Sequence, residues 1–230
     1  MSRTVGVLGG MGPAATLDFF ARVLAGSGAA RDCDHIRLII DCNPNVPDRN
    51  IGPPDGSPTT GSVLAEMARG LKAAGAQMLV MPCNAAHASV ADIRAATDLP
   101  FIDMIEATAD AAVAAVSGAG PVGILAADGA LDADLYQRAF AERRLGLLTP
   151  EPDAQARFMA LLYRIKSGDV GPASRAEMKS LADALISRGA RAIVAGCTEV
   201  PLALDDSDLS VPLVNCTEVL AKATVAAARA

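Results

Sequence analysis

The sequence predicts an α/β protein made of two similar three-layer domains, each a mostly parallel sheet covered by helices on both faces. Three observations predict it. Short apolar strands alternate with helical stretches along the chain. The pattern restarts near Gly120, so that the segment from Pro121 to Gly129 echoes the segment from Thr4 to Gly10. Two cysteines, Cys83 and Cys197, follow equivalent apolar runs in the two halves.

The totals bound the class. The chain has 230 residues, 51% of them apolar and 20% charged, enough to bury a core and too apolar for a disordered chain. A net charge of −6 argues against general affinity for nucleic acid or acidic membranes. No apolar run is long enough to span a bilayer, and the start, Met1-Ser2-Arg3-Thr4, does not read as a signal peptide. Five cysteines in irregular spacing read as reduced thiols, so a cytoplasmic protein is expected.

Thr4 to Gly9 reads as a buried first strand, and Gly9-Gly10-Met11-Gly12-Pro13 as a tight loop into a helix from Ala14 to Leu24. Gly10, Gly12 and Ala15 fit a GxGxxA pattern, which many α/β folds share. The loop suits a small anion such as a carboxylate better than a dinucleotide. His35 to Asp41 reads as a second strand. The stretch 44–61 that follows has no periodicity and carries Arg49 just past a strand end, where α/β proteins bind ligands. A helix is expected from Ser62 to Ala74, its stripe being Val63, Leu64, Met67 and Leu71. Gln77 to Met81 is the third strand and delivers Cys83. A helix from Ala85 to Ala96, a strand from Leu99 to Met104 and a helix from Ile105 to Val116 complete the first pattern.

The repeat holds at three landmarks. Val5 and Val122 are 117 positions apart, Cys83 and Cys197 are 114 apart, and Leu99 and Val211 are 112 apart. Recurrence in order at a nearly constant offset marks a duplicated unit. The expected domains are 1–100 with 212–230, and 101–211. Packed as a pseudo-twofold pair, they would place Cys83 opposite Cys197 across one cleft.

Two thiols on opposite sides of a substrate can act as base and acid. One thiolate removes a proton from a carbon next to a carboxylate, and the other thiol returns one on the far face. A cysteine at a helix N-terminus has its thiolate favoured by the free N–H groups. Asn84, Thr198 and the N–H groups after each cysteine are the expected donors to the developing enolate. Cys33, Cys42 and Cys216 read as small buried hydrophobes. No CxxC occurs and only two His exist, which disfavours zinc. Only four lysines exist, none in a recognisable Schiff-base setting, so no pyridoxal phosphate and no other cofactor is expected.

At these residues the sequence resembles the aspartate/glutamate racemase family, which works without pyridoxal phosphate. The resemblance rests on VGVLGGMGPAAT with Asp18-Phe19-Phe20, on Asp41-Cys42-Asn43-Pro44 through Pro47-Asp48-Arg49, on MPCNAAH and on GCTEVPL. It implies two α/β domains, a small amino-acid substrate and a homodimer. It implies Cys83 and Cys197 as the acid–base pair, with Met11, Asn43, Arg49, Asn84, Ala85, Lys166 and Thr198 at substrate-contacting positions. Ala85, Ala127 and Ala130 stand where the family often has threonine. Each lost hydrogen bond to a charged group is worth about 1.5–3 kcal/mol, so a bulkier or less polar amino acid than aspartate or glutamate, or a related acid, is expected. The alternatives are another activity of this scaffold (arylmalonate-type decarboxylase, hydantoin racemase or maleate isomerase) and a catalytically silent amino-acid-binding protein.

Overall fold

A computed structural model describes residues 2–116 and 120–230. The chain divides into two compact units, the first comprising Met1–Met104 and Thr217–Ala230, the second Ile105–Cys216. Unit 1 runs β1 (Val5–Gly9), α1 (Pro13–Gly26), β2 (Leu38–Cys42), α2 (Thr60–Ala73), β3 (Met78–Val80), α3 (Val90–Ala96) and β4 (Phe101–Ile102). The helix α4 (Met104–Val116) starts at the boundary. Unit 2 runs β5 (Val122–Leu125), α5 (Asp128–Asp132), α6 (Leu135–Glu142), β6 (Leu147–Leu148), α7 (Pro152–Lys166), α8 (Pro172–Ser187), β7 (Ile193–Ala195) and β8 (Leu213–Asn215). The last helix, α9 (Cys216–Arg229), closes on unit 1. There Arg3 N donates to the Ala228 carbonyl at 2.7 Å, and Arg22 of α1 lies 3.6 Å from Glu218.

Each unit holds one four-stranded sheet, ordered β2-β1-β3-β4 and β6-β5-β7-β8, and every pairing is parallel. The sequence repeat is therefore a repeat of topology. The central strands β1, β3, β5 and β7 are buried along their whole length, which explains their continuous apolar runs. The outer strand β2 is half exposed.

The close approach of helix to strand repeats as well. A Cβ on Gly6 of β1 would lie 2.8–3.2 Å from Leu79, Ala76 and Leu71, the last on α2. A Cβ on Gly123 of β5 would lie 2.8–3.2 Å from Leu185, Ile193 and Ala190, with Leu185 on α8. The three neighbours correspond pair by pair at an offset of 114 positions. Glycine stands at both places because the helix packs where a side chain would be.

Several boundaries differ from the sequence reading. The second strand starts at Leu38, α2 starts at Thr60, and the strand expected over Leu99–Met104 is only Phe101–Ile102. Thr59 caps α2 by accepting from Ser62 N at 3.1 Å, which moves the helix start two residues earlier. The helix expected from Ala85 begins as a 3₁₀ turn, Ala85–Ser89, and becomes α-helical only at Val90. Residues 43–59 form neither strand nor helix.

The glycine pair generates a prediction. Gly6→Ala and Gly123→Ala should each destabilise by about 1–3 kcal/mol through overpacking. Gly70→Ala, on the open face of α2 with nothing within 4 Å of the new methyl, should stabilise by about 0.5–1 kcal/mol. Urea unfolding checks both signs.

Candidate active site

In unit 1 the candidate residues gather at the carboxyl edge of the sheet, where parallel strands release their loops. Gly10 has φ +93°, and a Cβ there would collide with the backbone of Asn43. The loop after β1 can therefore lie directly on the loop after β2. Gly10 N donates to the Thr16 hydroxyl at 2.9 Å, and that hydroxyl donates to the Gly12 carbonyl at 3.1 Å. Asn43 N donates to the Gly9 carbonyl at 3.2 Å, while the Asn43 side-chain oxygen accepts from Asn45 N at 3.0 Å.

Arg49 ties this arrangement together. Its guanidinium donates to the carbonyls of Val46 (3.2 Å), Pro47 (3.0 Å) and Met11 (3.2 Å). Its Nε is buried with no partner. No carboxylate among the described residues neutralises it, so a cation is held by neutral dipoles with one donor unused. A ligand carboxylate would complete it. The structure thus brings Met11, Asn43 and Arg49 together.

Cys83 lies on the same edge, just past β3, and is buried in one apolar cluster with Met11, Val46, Met81 and Ala86. Asn84 and Ala85 follow it into the 3₁₀ turn and are also buried. His87 sets the local backbone. Its Nδ1 lies 2.8 Å from the Cys83 carbonyl, and its Nε2 lies 3.1 Å from the Met104 amide. A carbonyl only accepts and an amide N–H only donates. The imidazole is therefore neutral, with its proton on Nδ1. Burial pushes its pKa down, against the pull of Asp103. His87 was legible inside MPCNAAH, but the sequence reading assigned it no role. Its spacing four residues after the cysteine was the available signal.

In unit 2 the equivalent edge carries Cys197, just past β7. Its thiol donates to Glu199 Oε2 at 3.0 Å. The Thr198 hydroxyl donates to the same oxygen at 3.3 Å. Lys166, the last residue of α7, donates to Glu199 Oε1 at 2.6 Å. Unit 2 thus brings Lys166, Cys197 and Thr198 together around Glu199, a buried residue to which the sequence reading gave no role. Burial and then the Glu199 charge push the Cys197 thiol well above its ordinary range, with Lys166 opposing. This corrects the expectation of a thiolate favoured by a helix N-terminus at Cys197. Only a 3₁₀ turn, Val200–Leu202, follows it, too short for a macrodipole to outweigh burial and a neighbouring carboxylate.

Two of the alanines that the resemblance puts at family threonine positions lie at these edges, Ala85 after Cys83 and Ala127 after β5. Ala130 is fully buried within α5, so it faces protein interior and not an open pocket. Beside Ala127, Gln155 Nε2 donates to the Ala126 carbonyl at 3.0 Å and to Asp128 at 2.7 Å. Among the described residues, no group of three or more His, Cys, Asp or Glu is placed to hold a metal ion. No helix among them is long and apolar enough to cross a membrane.

Two parallel sheets of one strand order, each with a buried cysteine just past its third strand, define a duplicated α/β scaffold. The family model described as Asp/Glu/Hydantoin racemase matches residues 8–224, and the chain belongs to that family. It is similar to the broad specificity amino-acid racemase RacX of Bacillus subtilis, with 26% identity over 96% of both chains. It is also similar to glutamate racemase of Pseudomonas entomophila, with 34% identity over 60% of this chain and 51% of the relative. Among solved structures, aspartate racemase of Picrophilus torridus aligns over 99% of this chain and 94% of its own, with TM-score 0.85 and 23% identity. The aspartate racemase homologue of Pyrococcus horikoshii aligns with TM-score 0.81 and 22% identity over 99% of this chain and all of its own. These likenesses establish the fold.

His87 generates a pH prediction. Its folded pKa lies below the unfolded value of about 6.5, so the unfolded chain takes up a proton that the folded chain refuses. The stability held by neutral His87 is complete above that value and declines as pH falls towards the folded one. The thermal midpoint should drop between pH 7 and pH 5.5. His87→Gln should melt lower at pH 7, by the loss of about 2 kcal/mol, yet vary less across the window.

Proposed function

We propose that the chain is an amino-acid racemase that works without a cofactor, with Cys83 and Cys197 as its two acid–base groups. The observation that carries this is the repeated position of the two thiols, each buried at the carboxyl edge just past the third strand of its own sheet. Membership of the racemase family and likeness to a broad specificity amino-acid racemase support it. Each of the four lysines lies within ion-pair distance of a carboxylate, which occupies the amine that a Schiff base would use.

The chemistry needs three parts. Arg49 takes the substrate carboxylate on its unpaired Nε, assisted by Asn43 and Met11. One cysteine, as thiolate, removes the α-hydrogen as a proton. The other, as thiol, gives its proton to the opposite face of the carbon. The net change is inversion of the substrate and transfer of the thiolate from one cysteine to the other. In the opposite direction the roles exchange. Asn84 and Thr198 follow the two cysteines and supply polar groups beside the carbon that gains enolate character. Ala85 and Ala127 remove hydroxyls from this setting, which favours a neutral or larger side chain over aspartate or glutamate. A homodimer belongs to this proposal, supported by the exposed apolar residues Leu17 and Leu24 on one side of α1.

The test is racemisation of a panel of D- and L-amino acids, acidic and neutral, followed by chiral chromatography. Cys83→Ala and Cys197→Ala should each lower the rate about 10³-fold while leaving the melting curve close to the parent's. Retention of the parent rate by either variant would sink the two-cysteine assignment.

A further inference from the structure

We infer that Glu199 is a positioning residue that keeps the proton on Cys197, so that Cys197 rests as the acid of the pair. The inference rests on the racemase reading above and deepens it, because it makes the two directions of the reaction inequivalent at the protein.

Geometry carries the argument. The Cys197 sulfur and Glu199 Oε2 are 3.0 Å apart and both are buried. A thiolate there would face a carboxylate across a hydrogen-bond distance with little water to screen the repulsion. One proton must lie between them. Lys166 decides where it goes. Its ammonium lies 2.6 Å from Glu199 Oε1 and the Thr198 hydroxyl donates to Oε2, so the ionised carboxylate has charged and neutral donors. The proton then stays on sulfur. The charged groups that act on this sulfur are Glu199 from its own loop and Lys166 from α7. Cys83 has no such neighbour in its loop, since His87 beside it is neutral.

The consequence is a preferred entry. The resting form takes up the enantiomer whose α-hydrogen points at Cys83. Cys83 gains that proton, and Cys197 gives its own to the carbon. The product form carries a thiolate at Cys197, 3.0 Å from Glu199, and is the higher of the two in free energy. The enantiomers themselves have equal free energy, so kcat/KM is the same in both directions. The inequality shows instead as kcat and KM that differ between the enantiomers by one common factor.

The test reads the thiols directly. The full chain is alkylated with iodoacetamide across a range of pH, and modification is quantified cysteine by cysteine by mass spectrometry. Glu199→Gln keeps the shape and an oxygen acceptor but removes the charge. It should move the Cys197 profile down by about one pH unit or more and leave the Cys83 profile in place. Lys166→Gln should move the Cys197 profile up, and Glu199→Asp should stay close to the parent. A Cys197 profile unmoved in Glu199→Gln, or moved down in Lys166→Gln, would overturn the inference. If Glu199→Gln does not fold, the Lys166→Gln profile decides. Alkylation needs no turnover, so its outcome is independent of whether the chain racemises amino acids. In the active protein, Glu199→Gln should also bring the kcat ratio of the two enantiomers towards one.

Discussion

A parallel strand buried on both faces meets solvent only at its ends. In each unit the central strands are covered along their whole length, so the loops at the carboxyl edge are where polar side chains can be presented. The chain meets this constraint twice with one solution. A glycine lets a helix lie directly on the first strand of each sheet, at Gly6 and at Gly123. The third strand then delivers a cysteine within three residues of its end. Cys83 and Cys197 are equivalent because the layers beneath them are equivalent.

The electrostatics around the two thiols are not equivalent. Cys83 has its carbonyl held by a neutral imidazole that is buried between it and the Met104 amide. Cys197 has its sulfur held by a carboxylate that is itself held by an ammonium. The backbone repeat makes the two cysteine-bearing sheet edges alike in topology. The side chains added to it differ in charge. A duplicated fold need not keep its two cysteine-bearing edges chemically alike, and here the difference falls on one residue in each unit, His87 and Glu199.

Much of this was legible in the sequence because it is local or repeated. The offset of 114 positions between Cys83 and Cys197 recurs in the neighbours of Gly6 and Gly123, so the duplication could be read without coordinates. Arg49 could be read from its place after a strand end. What stayed hidden depends on partners distant in the chain. Glu199 has meaning only through Lys166, 33 positions away and on another element. His87 looks like a lone histidine until the Met104 amide arrives 17 positions later. Ala130 was expected at a family threonine position, yet its methyl is wholly enclosed, and burial of a single short side chain leaves no periodic trace. Strand ends were misplaced where pairing, not apolarity, sets them. Leu99 is apolar, but the carbonyl that β3 uses there is that of Pro100, and the paired residues begin at Phe101.

The central claim is that two separate groups handle the departing and arriving protons. A single enantiomer incubated in heavy water and sampled within the first few per cent of turnover tests it most directly, with mass and chirality read together. The account predicts that each product molecule carries deuterium at the α carbon while the remaining substrate keeps its hydrogen. Product that retains the original hydrogen would mean that one group removes and returns the same proton, and would contradict the assignment of both Cys83 and Cys197.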